Sequence, residues 1–132
     1  MKQVFTLLLL GLLIVSCKTE TPTEIEMVSP EEMQELTKME DVQLVDIRTP
    51  IEFEEGYING FQNIDYFSDT FDQDIQKLDK TKPVIVVCRS GKRSAKCSRK
   101  MVKAGFVKIY DLDGGLTKWK HEGFEVHTID IP

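Results

Sequence analysis

Cys88 follows an uninterrupted β-branched run, Pro83-Val-Ile-Val-Val87, and leads directly into Arg89-Ser90-Gly91-Lys92-Arg93. From about Arg93 to Lys103 the spacing of apolar residues is helical. A strand, a cysteine-led loop and a helix in that order aim several backbone N–H groups, and the partial positive charge of a helix start, at one point. With Arg89, Lys92 and Arg93 close by, those donors favour thiolate over thiol, and the thiolate is the nucleophile. The chemistry this permits is covalent catalysis, with a transferred group held on sulfur. A cysteine at a strand end can also serve packing alone. The glycine-containing basic loop behind Cys88 favours the nucleophile.

Elements on either side must position that loop. Short apolar runs alternate with helical patterns, which predicts βαβ units around a mostly parallel sheet with helices on both faces. Ser29-Pro-Glu-Glu32 is a capping box opening a helix to about Thr37, and Thr49-Pro-Ile-Glu52 is a second, opening a short helix that Gly56 ends. Strands are predicted at Val42–Asp46, Asn63–Tyr66, Pro83–Val87 and Lys108–Leu112, with a helix from Phe71 to Leu78. Gly114-Gly115 marks a turn before a last helix that carries Trp119. In open α/β sheets, sites lie at the carboxyl ends of strands, which is where Cys88 falls.

Four ordered segments carry a resemblance to a known family. Cys88-Arg-Ser-Gly-Lys-Arg93-Ser94 resembles the active-site loop of the rhodanese family of sulfurtransferases. Val45-Asp-Ile-Arg48 with Glu52-Phe53, Gly56-Tyr-Ile-Asn-Gly60 with Asn63-Ile64, and Leu112-Asp-Gly-Gly115 with Trp119 and Gly123 resemble three further family motifs in the same order. Tyr57 stands where the family has His, and Phe61 where it has Ala, which predicts local repacking away from the loop. The resemblance implies an α/β rhodanese fold over residues 27–132. It also implies sulfur transfer through a Cys88 persulfide, from an anionic donor such as thiosulfate to a cyanide or thiol acceptor. Backbone N–H groups from Arg89 to Arg93 would hold the terminal sulfur, with Arg93 in direct contact with the donor, and neither metal nor organic cofactor would be required. Related phosphatases and arsenate reductases use Cys-x5-Arg; here Arg93 lies five positions after Cys88, giving the tighter Cys-x4-Arg. A partner-binding or sulfur-carrying module without turnover is the other alternative.

Asp46 and Arg48 either support the catalytic site from a neighbouring strand end or form a structural ion pair that orients the following loop; the structural pair is the expectation. Cys97 shares a helical stripe with Met101 and Ala104 and reads as a packed thiol, with a Cys88–Cys97 disulfide as the alternative. His121 and His127 lack partners at metal-ligand spacing, and Trp119 reads as a core anchor beside Leu116.

Before the domain, Lys2 is the only charge ahead of an apolar stretch from Val4 to Val15. That stretch is too short to span a bilayer, which takes about 20 residues, but it suits a secretory signal. Ile14-Val15-Ser16-Cys17 resembles a bacterial lipobox. The expectation is a signal peptide over residues 1–16, a lipidated Cys17 and polar tether over 17–26, and a lipid-anchored protein on the periplasmic side of the cell envelope. Lys18 after the cysteine is compatible with sorting to the outer membrane.

Charge sharpens the choice of partner. The whole chain of 132 residues has 17 Lys+Arg against 22 Asp+Glu, a balance that argues against nucleic acid. Yet residues 89–103 hold seven basic residues and no acid. Their field acts over about 10 Å at moderate salt, so small anions are favoured beside Cys88.

Overall fold

The computed structural model describes residues 22–129. Within them the order of elements is β1 (Glu24–Val28), α1 (Pro30–Leu36), β2 (Gln43–Asp46), α2 (Pro50–Glu54), β3 (Gln62–Asn63), α3 (Phe71–Ile75), β4 (Val84–Val87), α4 (Lys92–Ala104), β5 (Lys108–Leu112) and α5 (Gly115–His121). The expected signal peptide, Cys17 and the tether up to residue 21 lie outside the described residues.

Five strands form one sheet in the order β1-β5-β4-β2-β3, every neighbouring pair parallel. β4 is the middle strand, and all four of its residues are buried. Strands covered on both faces need no polar alternation, which is why Val84–Val87 is continuously apolar. One face packs Phe71, Ile75, Cys97, Met101 and Phe106 against Val84 and Val86; the other packs Met33, Leu116 and Trp119 against Ile85 and Val87. Helices therefore cover both faces, as the alternating pattern predicts.

Both capping boxes form. The Ser29 and Thr49 side chains accept from the backbone N–H of Glu32 and Glu52, whose carboxylates accept from the cap residues' own N–H. Such caps contribute about 1 kcal/mol each to short helices that are otherwise marginal.

Differences from the expectations have local causes. The first strand starts three residues before 27, and Glu24–Val28 pairs with β5 along the sheet edge. Ile25 and Met27 alternate with Glu24 and Glu26 but stay exposed, only Val28 is buried, and Lys108 Nζ ties the strand down through Glu24 at 2.9 Å and Glu26 at 2.6 Å. α3 stops at Ile75, although Leu78 still packs against the core. The chain then turns through Asp79, whose side chain accepts from Thr81. β3 is shorter than expected and starts one residue earlier, at Gln62.

Tyr57 and Phe61 repack locally. The Tyr57 ring stacks on Phe53 with 4.7 Å between centroids, and its backbone forms an isolated antiparallel bridge with His127. Phe61 is buried in the core face that holds Trp119. Trp119 is the anchor expected, stacked on Phe124 and donating from Nε1 to the Glu125 carbonyl at 2.9 Å.

Candidate active site

After β2 the chain moves to one side of the sheet and after β4 to the other, so strand order reverses between these two neighbours. A crevice at the carboxyl ends of the strands opens at such a point. Asp46 closes β2 in register with Val87, and Cys88 is the next residue of the adjacent chain. Sheet topology thus brings together two segments separated by some forty residues.

Cys88 is almost wholly buried, and the Gly91 N–H donates to its Sγ at 3.0 Å. The thiol lies 3.4 Å from Ser94 Oγ, and the Ser94 hydroxyl donates to the Gly91 carbonyl at 3.1 Å. Gly91 caps α4 with φ +96°, a left-handed conformation that glycine adopts without steric cost. That conformation folds the loop back so that a main-chain N–H meets the sulfur. Among the N–H groups from 89 to 93 expected around sulfur, Gly91 supplies the hydrogen bond to Sγ.

α5 holds the other side of the loop. The N–H groups of Leu116 and Thr117 donate to the carbonyls of Cys88 at 2.8 Å and Arg89 at 3.0 Å. Gly115 makes this approach possible: a Cβ there would stand 2.6 Å from the Cys88 carbonyl oxygen and 2.7 Å from Arg89, at φ +59°. Gly115→Ala is therefore expected to destabilise the fold by about 1–3 kcal/mol and to displace the loop. Thermal melting together with a thiosulfate assay checks this; a variant matching the parent in both would show that the approach is not tight.

The cations divide into free and committed groups. Arg89 and Lys92 are exposed. Arg89 borders a cleft of about 530 Å³ that is also lined by Arg48, Glu52, Glu55, Lys120 and His121. Arg93 differs from the expectation of direct donor contact. Its guanidinium is forked onto Glu52, with both N···O distances 2.7 Å, and lies 5.4 Å from the centre of the Phe67 ring. A bidentate carboxylate satisfies the planar guanidinium better than a transient anion does. Ser90, also exposed, sits at the tip of the loop.

Glu52, expected as a helix cap and as part of a family motif, is also the partner of Arg93. Arg93's hydrogen bonds hold its carboxyl at about 2, well below the usual value, against the opposing effect of burial. A carboxyl depressed in the folded state stabilises above its unfolded value and loses that contribution as pH falls through its folded value. The α2–α4 contact is thus expected to persist at neutral pH and weaken between about 4.5 and 2. Acid unfolding of Glu52→Gln beside the parent measures it. Their stability difference should shrink over that interval; a constant difference would refute the ion pair's contribution.

Asp46 and Arg48 form the structural pair. Arg48 donates from Nε and a terminal nitrogen to the Asp46 carboxylate at 2.7–3.0 Å, and both side chains are buried. The guanidinium also donates to the carbonyls of Glu52 at 3.0 Å and Gly56 at 2.7 Å. The pair therefore fixes α2, the helix that presents Glu52 to Arg93.

Cys97 lies fully buried against Met101, its thiol pushed up to about 12 by burial. Both Cys88 and Cys97 are free thiols, so the packed role expected for Cys97 is the one observed. His121 is exposed; His127, half-buried, carries the bridge to Tyr57.

A buried thiol under a main-chain donor, at the reversal point of a parallel sheet, is an arrangement suited to covalent catalysis. Residues 29–122 match the Rhodanese-like domain model. The thiosulfate sulfurtransferase GlpE of Pseudomonas putida (strain F1) is 35% identical over 98 residues, covering 74% of this chain and 87% of that protein. The Shewanella oneidensis protein of the same name is 33% identical over 95 residues, covering 72% and 91%. Among solved structures, the polysulfide-sulfur transferase homodimer of Wolinella succinogenes is similar with a TM-score of 0.67 at 28% identity, covering 80% of each chain. The chain belongs to the rhodanese family and is a sulfurtransferase-like enzyme.

Proposed function

We propose that the protein moves sulfane sulfur from a thiosulfate-like anion to cyanide or a thiol through a persulfide on Cys88. The observation that carries this reading is the Cys88 thiol, buried and met by the Gly91 N–H at 3.0 Å, in the loop after the middle strand of a rhodanese domain. The Cys88 thiolate attacks the donor's outer sulfur; the sulfur–sulfur bond of thiosulfate breaks and sulfite leaves with its electron pair. The acceptor then attacks the outer sulfur of the persulfide, and Cys88 departs as thiolate. Arg89 and Lys92, exposed at the loop, draw the anionic donor in, while Arg93 acts through its fork to Glu52 as a brace of the loop. Main-chain N–H groups are already oriented when charge reaches the outer sulfur, so little reorganisation accompanies the transfer.

Intact-mass measurement after thiosulfate treatment tests the persulfide. The expected result is a gain of one sulfur atom on the peptide containing Cys88, lost on treatment with a thiol reductant. Unchanged mass would overturn it. The same reading places the protein on the periplasmic side of the cell envelope, held through lipid on Cys17, with outer-membrane sorting compatible with Lys18.

A further inference from the structure

The basic residues from 89 to 103 exceed what the mechanism uses. Arg93 is committed to Glu52, and Lys100 to Asp72 at 3.0 Å. Lys92, Lys96, Arg99 and Lys103 remain on α4, all exposed, and among the described residues none of them forms a salt bridge. Their spacing of four, three and four residues sets them on one side of the helix, within about 60° of arc at 3.6 residues per turn. At about 1.5 Å per residue the row runs roughly 16 Å, from Lys103 to the loop that carries Cys88.

This row costs the fold stability. Like charges three or four residues apart on a helix repel. α1, α2 and α3 carry acids in their first turns, whereas α4 has none there and opens on Lys92 against the helix dipole. Attraction of a small anion, acting over about 10 Å, accounts for Lys92 and Lys96. The dipole at the helix end accounts for Lys103. Neither accounts for Arg99, nor for the alignment of all four cations, which presents charge to a ligand long enough to lie along the helix.

We infer that the row docks an acidic, extended segment of a protein whose cysteine accepts sulfur from Cys88. The inference rests on the sulfur-transfer reading and names its acceptor class. An extended segment with acids at alternate positions spaces them about 6.7 Å apart, close to the steps of roughly 4.5–6 Å along the row. Lys92 stands four residues after Cys88, so a cysteine at that end of the segment meets the loop. Its thiolate attacks the outer sulfur of the Cys88 persulfide. The bond from that sulfur to the partner's cysteine forms, the bond to Cys88 breaks, and Cys88 leaves with the electron pair; no external oxidant or reductant is consumed. An anionic bilayer fits the row less well. Interfacial helices bury an apolar face in lipid, but α4 spends Cys97 and Met101 on the core, and among the described residues no exposed large apolar side chain lies on it.

Two synthetic acceptors test the row on the intact protein: a peptide of cysteine followed by alternating glutamate and serine, and the same peptide with glutamine for glutamate. Transfer from thiosulfate to each gives kcat/KM, and the ratio of the two cancels effects on Cys88 itself. In the parent the acidic peptide should be favoured about tenfold at low salt, through KM rather than kcat. The preference should fade at about 1 M salt, where screening leaves a reach of about 3 Å. Lys96→Glu with Arg99→Glu should abolish it, and Lys96→Gln with Arg99→Gln should leave it intermediate; both positions are exposed, so the fold should accept the changes. A preference that survives charge reversal would overturn the docking row. So would equal rates for the two peptides in a parent that transfers sulfur to cyanide, a result that leaves the sulfur-transfer reading standing. Co-sedimentation with phosphatidylglycerol vesicles, lost on the same charge reversal, would assign the row to lipid instead. A parent inert toward cyanide and both peptides would overturn the sulfur-transfer reading and the acceptor class with it.

Discussion

Cys88→Ser is expected to reduce thiosulfate-to-cyanide transfer at least about a thousandfold, to the background rate, while leaving the protein folded. Serine is close in size, so the buried position after β4 can accept it, and the Gly91 N–H can donate to Oγ as it does to Sγ. What is lost is ionisation and the capacity to hold sulfur. A hydroxyl remains protonated where a thiol yields a thiolate, and oxygen forms no persulfide to carry the outer sulfur to an acceptor. Melting temperature and activity measured on the same preparation separate the two effects. Activity within tenfold of the parent would remove Cys88 from the nucleophile's role; a large fall in melting temperature would make the loss a folding effect instead.

Arg48→Ala should have the largest effect on stability. The substitution leaves the Asp46 carboxylate buried without its partner and strands the carbonyls of Glu52 and Gly56, all of which Arg48 now serves. Breaking one side of a buried pair costs about 3–5 kcal/mol, because the remaining charge cannot return to water. For a domain of this size that amounts to a fall of roughly 12–30 °C in melting temperature. Arg48→Lys should recover little, since an ammonium cannot reproduce the fork that spans both carboxylate oxygens and two carbonyls. Replacing Asp46 and Arg48 together by apolar residues should cost less than the sum of the single changes. Strict additivity would show that the two charges do not stabilise each other.

Much of the fold is legible in the sequence, because local rules carry it. Ser29 and Thr49 with Glu three residues on produce capped helices, and Val84–Val87 produces a strand buried on both faces. The failures are equally local in origin. Glu24–Val28 buries only its last residue, since it is an edge strand held by its ladder and by Lys108 while Ile25 and Met27 face solvent. Asp111 stands two residues after Ile109 on the same inward face of β5, so a charged residue at an inward strand position is the available signal for this buried acid.

The sequence by itself determined which residue could be the nucleophile. Cys88, the left-handed Gly91 and the start of α4 are consecutive, and a strand–loop–helix segment converges its own N–H groups without help from elsewhere. Only the tertiary structure decided what the surrounding charges do. Glu52 lies 41 residues from Arg93 and meets it because α2 and α4 both begin at the carboxyl ends of the adjacent parallel strands β2 and β4. That meeting turns Arg93 from a free cation into a bound one, while Arg89 and Lys92 stay facing solvent. Pairing of charges depends on distances in space, which the order of residues along the chain does not encode.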